Sequence, residues 1–522
     1  MHYKISIILE LSRGRKDSMA TVKKVRRIRK RKPFYKQGIF YVMTLFLCLA
    51  SYLFYQIKKL NLLPNKYLII VGILFLLLMY WMVHLQTGKK VKRASKSVGR
   101  ILVLVLCLVF GYGNWYIYKM HSTLTSLTDK NVETTKISVI VLQDSPAQQI
   151  VDLTYTNVGI ANVGDTKTQE KVFNQIKEEL ENQIYDYSYA SYKELSDALF
   201  NRNIQAMIIN ESTRSIFKKI VPDFNKKTRV LKTYTYTRPI KQNGNHVDIL
   251  TKPFNIYITG MDTKGSIDTT SHSDVNMILS INPNTNQILV TGIPRDYYIP
   301  QTCQSYQEDK LTHTGVFGVD CTLDSVQGYL GIDLDYYAKV NFSTFVDIID
   351  ALGGIDVDNP IEFSRKQYNY PVGNIHLDGD AALQYARERK SLEGGDRARS
   401  RNQMRVIEAI IKKAMSPAII TRYTEILDTV GNMLQTNMSH NEMTSFIRHQ
   451  LNTKAKWDFK HIQLTGTDSM TYSPANGFDS WVMIPYKPSV DHAIELITKF
   501  HNNDYITDED IKKHEEIVRA SH

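Results

Sequence analysis

The chain has 522 residues, long for a single domain and sized for two or three folding units. With 43% apolar and 22% charged residues it is neither disordered nor collagen-like, and four cysteines exclude a disulfide-built scaffold or a Cys-rich zinc array. Its 65 Lys+Arg against 52 Asp+Glu, a formal +13, would suit a nucleic-acid binder if that charge were spread along the chain.

It is not spread: residues 1–100 carry a net +20 and the remaining 422 residues a net −7. No helix-turn-helix, zinc-finger or RNA-binding pattern accompanies the basic run Lys23–Lys32, so no nucleic-acid partner is expected. The basic end instead surrounds three apolar runs, Gly38–Ile57, Tyr67–Leu85 and Ile101–Tyr118, none containing Lys, Arg, Asp or Glu. About 20 such residues cross a bilayer, and Tyr41, Trp81, Trp115 and Lys119 are typical interfacial anchors. Residues 1–37 hold 13 Lys and Arg, the loop Lys58–Lys66 holds 3 and the loop Gln86–Arg100 holds 6. The two richer segments lie on one side of three alternating spans, which predicts a cytoplasmic tail (1–37), three transmembrane helices (38–118) and an extracellular remainder at a plasma membrane. The tail's charge also suits contact with anionic membrane lipid.

Beyond the spans, Ser122–Thr135 reads as a polar spacer. Strand-like runs at Ile137–Leu142 and Ala206–Ile209, with amphipathic helices at Glu170–Asn182 and Tyr192–Phe200, predict a small α/β unit over 136–235 that carries no catalytic constellation. A second unit over 253–500 opens with a strand at Phe254–Ile258. A hairpin then joins Val275–Ile281 to Gln287–Ile293 around the turn-rich 282–286. Helices are predicted at Phe342–Leu352, Ala381–Glu388, Gln403–Met415 and Tyr423–Leu434, and a strand and helix at Trp481–Ile484 and Val490–Phe500. The fold class is therefore three transmembrane helices followed by an α/β unit and a second α/β unit with a mixed sheet, with 501–522 as a polar tail.

Several side chains in the second unit are suited to phosphate chemistry. Asp262 and Asp274 stand at neighbouring strand ends, either as turn residues or as a pair converging on one Mg²⁺. Arg295 and Asp296 follow the hairpin, either as a surface ion pair or as part of a site, and Lys310 and His313 fall in a loop. Arg387–Arg405 packs seven Lys and Arg into 19 residues. If a helix starts near Asp396, then Asp396, Arg399 and Gln403 share a face with Ile407 and Ile410, while Arg397, Arg401 and Arg405 point outward. An inward Arg is costly unless paired. Together with Arg387 and Arg389 it would suit a pyrophosphate. Cys303 and Cys321, 18 residues apart in the extracellular part, are expected to form a disulfide; Cys48 and Cys107 fall in the spans.

These stretches resemble the LytR–CpsA–Psr family of cell-envelope phosphotransferases. The matching segments are Gly260–Asp262, Ser273–Asp274, Pro294–Asp296, Asp309–His313, Asn341–Asp358, Gly379–Arg389 and Gly395–Gln403, in order. Three spans followed by an accessory unit resemble the streptococcal capsule-biosynthesis branch. The resemblance implies transfer of a capsular or wall glycopolymer phosphate from a polyprenyl-pyrophosphate carrier to peptidoglycan in a Gram-positive envelope, together with other capsule-assembly proteins. It implies Mg²⁺ or Mn²⁺ on Asp262 and Asp274, and Arg295, Lys310, Arg387, Arg389, Arg399 and Gln403 around the two phosphates. Asp296 and Asp396 would orient these Arg groups or assist the acceptor, so that Arg295, Asp296, Asp396 and Arg399 form the catalytic set. Many members have Arg where this chain has His272. The alternatives are a non-enzymatic regulator of capsule assembly or expression, and a lipid pyrophosphatase.

Overall fold

The computed structural model describes residues 38–60, 65–88, 91–128, 132–241, 246–261, 266–416 and 434–521. Helices Gly38–Leu60, Asn65–Thr87 and Arg93–Thr128 each contain an apolar stretch long enough to cross a membrane. All three outrun the predicted runs, because helical hydrogen bonding continues into flanking polar residues beyond the apolar stretch. Ser122–Thr135 is consequently not a spacer: the third helix reaches Thr128, and Val132 opens a strand. The first and third helices meet through Phe46 and Phe110, edge-on at 5.4 Å, and through Asn114, whose Nδ2 donates to the Leu49 carbonyl at 2.8 Å. A polar group in hydrocarbon must be bonded, so Asn114 registers this pair of helices.

The first α/β unit is a five-stranded sheet in the order Tyr185–Tyr189, Asn157–Ala161, Ala206–Asn210, Val132–Leu142 and Thr228–Pro239. Helix Thr166–Glu179 covers one face with Val172, Phe173 and Ile176; Tyr192–Phe200 and Arg214–Ile220 cover the other with Leu195 and Phe217.

The second unit is built on a six-stranded mixed sheet in the order Gln435–Thr436, Tyr336–Asn341, Phe254–Met261, Ser273–Asn282, Gln287–Gly292 and Asp458–Gln463. The predicted hairpin is its centre. Asn282 Oδ1 accepts from the backbone N–H of Asn284 (2.9 Å) and Thr285 (3.2 Å), which closes the turn. One face packs on helices Val319–Leu330 and Lys487–His501 through Tyr257, Ile278 and Leu496. The other packs on Asp396–Ala414 through Met404. Phe342–Ala351 and Gly379–Arg387 are helical; the helix expected over 423–434 lies, but for its last residue, outside the described residues. The expected polar tail contains helix Asp508–Arg519, whose buried His514 contacts the Gln463 carbonyl at 3.1 Å.

A buried charge cluster joins the two α/β units. Glu133, fully buried on the Val132 strand, receives Lys339 Nζ (2.7 Å) and Arg238 Nη2 (2.8 Å), and also the backbone N–H of Val319 (3.0 Å). Burial disfavours its charge, but Lys339 and Arg238 outweigh it and hold the carboxyl below its ordinary pKa. Gly318 beside it has φ +105°, and a Cβ there would collide with Glu133 and Arg238. The same strand adds backbone pairing: Thr134 N–H donates to Asp268 O (2.7 Å), and Thr270 N–H to Thr134 O (3.0 Å).

Candidate active site

Sheet direction brings the predicted residues together. Strand Tyr336–Asn341 runs parallel to Phe254–Met261, and the hairpin strands run antiparallel, so Met261, Ser273, Gly292 and Asn341 all lie at one edge. Asp274 is the second residue of its strand there, and Arg295 and Asp296 follow Gly292 after Ile293 and Pro294. The helix Asp396–Ala414 begins over the same edge, released from the preceding segment by Gly394 and Gly395, both at positive φ (+88° and +49°).

Arg295 is the hub. Its Nη1 donates to Asp274 Oδ1 at 2.8 Å and its Nε to Asp296 Oδ2 at 3.3 Å, with Asp396 Oδ2 4.0 Å from the same Nε. Lys310 Nζ lies 3.3 Å from Asp296 Oδ1. Arg399 Nη2 donates to Asp396 Oδ2 at 2.7 Å, and Arg389 Nη1 reaches Asp396 Oδ1 at 3.4 Å. Four cations thus alternate with three carboxylates, leaving a positive excess that a polyanion would neutralise. Burial opposes the charge of Arg295, but Asp274, Asp296 and Asp396 together raise its pKa. Arg399 is shifted the other way, by burial first and by Arg295 and Arg389, against the attraction of Asp396. It is the guanidinium most in need of an added anion.

Two supporting residues carry no sequence signal of their own. Thr312 donates its Oγ1 to Asp274 Oδ1 (3.1 Å) and its backbone N–H to the Arg295 carbonyl (2.8 Å), fixing that ion pair from below. Arg397, expected to point outward, lines the same cavity and donates to the Gly466 carbonyl at 3.2 Å. The buried stripe of this helix is Ala398, Asn402, Val406 and Ala409, and the cavity is approached by its first turn, so residues on both flanks reach it. Trp481, on strand Phe478–Pro485, adds an aromatic wall.

Other expectations are modified by context. Lys310 closes a short strand and His313 lies in helix Leu311–Phe317, not in a loop. His313 Nδ1 is 3.0 Å from the buried Asp309, which also accepts from Ser473 and the Ala475 N–H. His272 packs against His313 with ring centroids 5.6 Å apart. Burial, then the neighbouring His313, holds His272 well below its ordinary pKa, so it is neutral near pH 7. Arg387 sets its guanidinium 4.5 Å from the Phe342 ring. Glu388, between Arg387 and Arg389, is nearly buried and receives Arg365 (2.8 Å) and the N–H groups of Lys390 and Ser391. Burial works against its charge, but these donors pull its pKa down to about 2. The structure joins Cys303 to Cys321 with 5.5 Å between Cα atoms.

Asp262 lies outside the described residues, and among the described residues no three His, Cys, Asp or Glu side chains converge as a metal-binding group. Asp274 nevertheless fits a divalent ion: Oδ1 is committed to Arg295 and Thr312, while Oδ2 accepts no hydrogen bond among the described residues. One free carboxylate oxygen suits Mg²⁺ when phosphate oxygens and water complete its shell.

Two cavities adjoin the cluster. An apolar slot adjoins it, lined by Ile258, Val275, Val340, Phe345, Leu383 and Ile407, with Asn341, Arg387 and Gln403 as polar residues. Gln403 belongs to both the slot and the cationic cavity. On the other side an open polar cleft of about 1740 Å³ reaches Asp274, Arg295, Asp296 and Lys310.

The second α/β unit thus carries, behind three apolar helices, a cation-rich site that shares Gln403 with an apolar slot and Asp274, Arg295 and Asp296 with a polar cleft. The chain belongs to the LytR_cpsA_psr family, whose model matches residues 221–488, just over half of its length. It is 34% identical over 212 residues to a polyisoprenyl-teichoic acid–peptidoglycan teichoic acid transferase, TagU, of Bacillus anthracis, spanning 40% of this chain and 69% of that protein. The Enterococcus faecalis protein of that name is 32% identical over 240 residues, 45% of this chain and 78% of its own. A crystal structure of TagU from B. subtilis is 27% identical and covers 49% of this chain and all of its own, with a TM-score of 0.40.

Proposed function

We propose that this protein transfers a phosphate-linked envelope glycopolymer, capsular polysaccharide in the first instance, from a polyprenyl-pyrophosphate carrier to peptidoglycan at the outer face of the plasma membrane of a Gram-positive cell. The observation that carries this reading is that the cavity holding Arg295 and Arg399 shares Gln403 with the apolar slot and shares Asp274, Arg295 and Asp296 with the polar cleft. In this reading the diphosphate sits on the cations and the first prenyl units enter the slot. The transferase names of the relatives support the same chemistry.

In the proposed step an acceptor hydroxyl oxygen attacks the glycan-side phosphorus. The bond from that phosphorus to the bridging oxygen breaks, and polyprenyl phosphate leaves. The hydroxyl proton passes to a carboxylate of the cluster, of which Asp396 is more exposed than Asp296. Arg295 and Arg399 hold the diphosphate and offset charge growing on the leaving phosphate, an electrostatic contribution that dominates phosphoryl transfer. Asp296 orients Arg295 and Lys310. Mg²⁺ or Mn²⁺ on Asp274, with Asp262 as second carboxylate, would supply further charge neutralisation.

Full-length protein, lipid-linked polymer and peptidoglycan incubated together should yield a covalent phosphodiester between polymer and glycan strand, and chelation should stop it. Release of polymer phosphate into water alone would establish a pyrophosphatase; unaltered lipid-linked polymer would leave a binding or regulatory protein.

A further inference from the structure

If a prenyl chain fills the slot, as the proposed function has it, the glycan on the far side of the diphosphate must leave by the cleft, which shares Asp274, Arg295 and Asp296 with the cation cluster. The opposite wall of that cleft belongs to the first α/β unit. Lys136, on strand Val132–Leu142, and Lys218 and Lys219, on helix Arg214–Ile220, are exposed there and form no ion pair among the described residues. Arg214 differs: its Nε and Nη2 both bind Glu211 at 2.6 Å, so it shapes the wall without adding net charge. Ser212, Ser215 and Thr269 line the same cleft.

The wall is held in place. Thr134, two residues before Lys136 on the same strand, pairs by backbone with Asp268 and Thr270, and Glu133 is locked to Lys339 and Val319. Lys219 is also close enough to add to the depression of the His272 pKa, together with Arg295 and against Asp274. Ammonium groups spaced among hydroxyls match a sugar chain that bears anionic groups.

We propose that this cleft binds the glycan of the lipid-linked donor, and that Lys136, Lys218 and Lys219 select chains carrying phosphate or carboxylate groups. The first α/β unit is then a specificity wall of the site.

Lys218→Glu/Lys219→Glu in the full-length protein tests this, with Lys218→Gln/Lys219→Gln as a milder pair should the reversal fold poorly. Dissociation constants are measured for three ligands: bare polyprenyl diphosphate, the same lipid with a neutral oligosaccharide, and the same lipid with a uronate- or phosphate-bearing oligosaccharide. The expected result is a loss of about tenfold for the anionic donor, shrinking as salt is raised, with changes under about twofold for the other two. Equal losses for all three, or none for the anionic donor, would overturn the proposal. Soluble peptidoglycan fragments are titrated alongside, and a loss confined to them would also overturn the proposal, by assigning the wall to the acceptor. Failure of the unmodified protein to bind bare polyprenyl diphosphate would instead strike the proposed function, whatever the lysines do.

Discussion

At the scale of the residue, the two Arg side chains of the cluster are not equivalent. Arg295 is saturated by carboxylates, whereas Arg399 has one close partner, Asp396, and feels both Arg295 and Arg389. Arg399→Ala is expected to lower transfer by about 10²–10³-fold while the melting temperature stays close to that of the parent. Arg399→Lys should restore little, because a point charge does not replace a planar fork. A steady-state assay beside a melting curve decides both. Thr312→Val removes one hydrogen bond to Asp274, and a loss of about 1 kcal/mol, roughly fivefold in rate, is expected, read in kcat more than in donor KM. Unchanged kcat would show that Asp274 holds its position without Thr312. Asp274, Arg295 and Arg399 were legible as a group through the family resemblance; residue type alone left Asp274 open as a turn residue and Arg295 as a surface ion pair, and only the inward face of Arg399 pointed to a site. Thr312 and Arg397 were not, since their importance depends on which chain segment folds above them.

Among the elements, the join between the α/β units is the most exposed to single changes. Glu133→Gln leaves Lys339 buried with a weakened partner, and a cost of about 3–5 kcal/mol is expected by thermal or denaturant unfolding. A folded pKa below the unfolded value gives stability that is present above about pH 4.3 and is lost as pH falls through the folded pKa. Glu133 and Glu388 both contribute in that sense, the latter over the range from about pH 4.3 down to about 2. Glu133→Gln should therefore flatten the acid limb of the unfolding curve; an unchanged limb would show that other carboxylates govern it. The Cys303–Cys321 bridge closes an 18-residue span, so Cys303→Ser with Cys321→Ser is expected to cost about 3 kcal/mol and to match the effect of a reductant on the parent. The hairpin and the helices around it could be read in advance from dense turn residues and long apolar periods. Strands Asn157–Ala161 and Tyr185–Tyr189 could not: one is short and holds a glycine, the other is an edge strand exposed along most of its length. The second does alternate, Tyr with Asp and Ser, but over only five residues.

For the whole molecule, the division into a basic first hundred residues and an acidic remainder bears on which side of a membrane each part occupies. Lys66 Nζ contacts the Asn452 carbonyl at 3.3 Å, so the start of the second helix lies on the same side as the α/β units. Lys66→Cys should react with an impermeant maleimide on intact cells and Gly88→Cys only after permeabilisation; the reverse pattern would invert the proposed orientation. The third helix has a further effect. Its membrane-spanning stretch ends at Lys119, yet it continues unbroken to Thr128, a rise of about 14 Å at 1.5 Å per residue. Helix His440–Thr453 packs beside it, so the second α/β unit is braced against the third helix. On the proposed function, a site held at one height meets only those carriers whose headgroup reaches it, and bilayer thickness as well as affinity would select among donors.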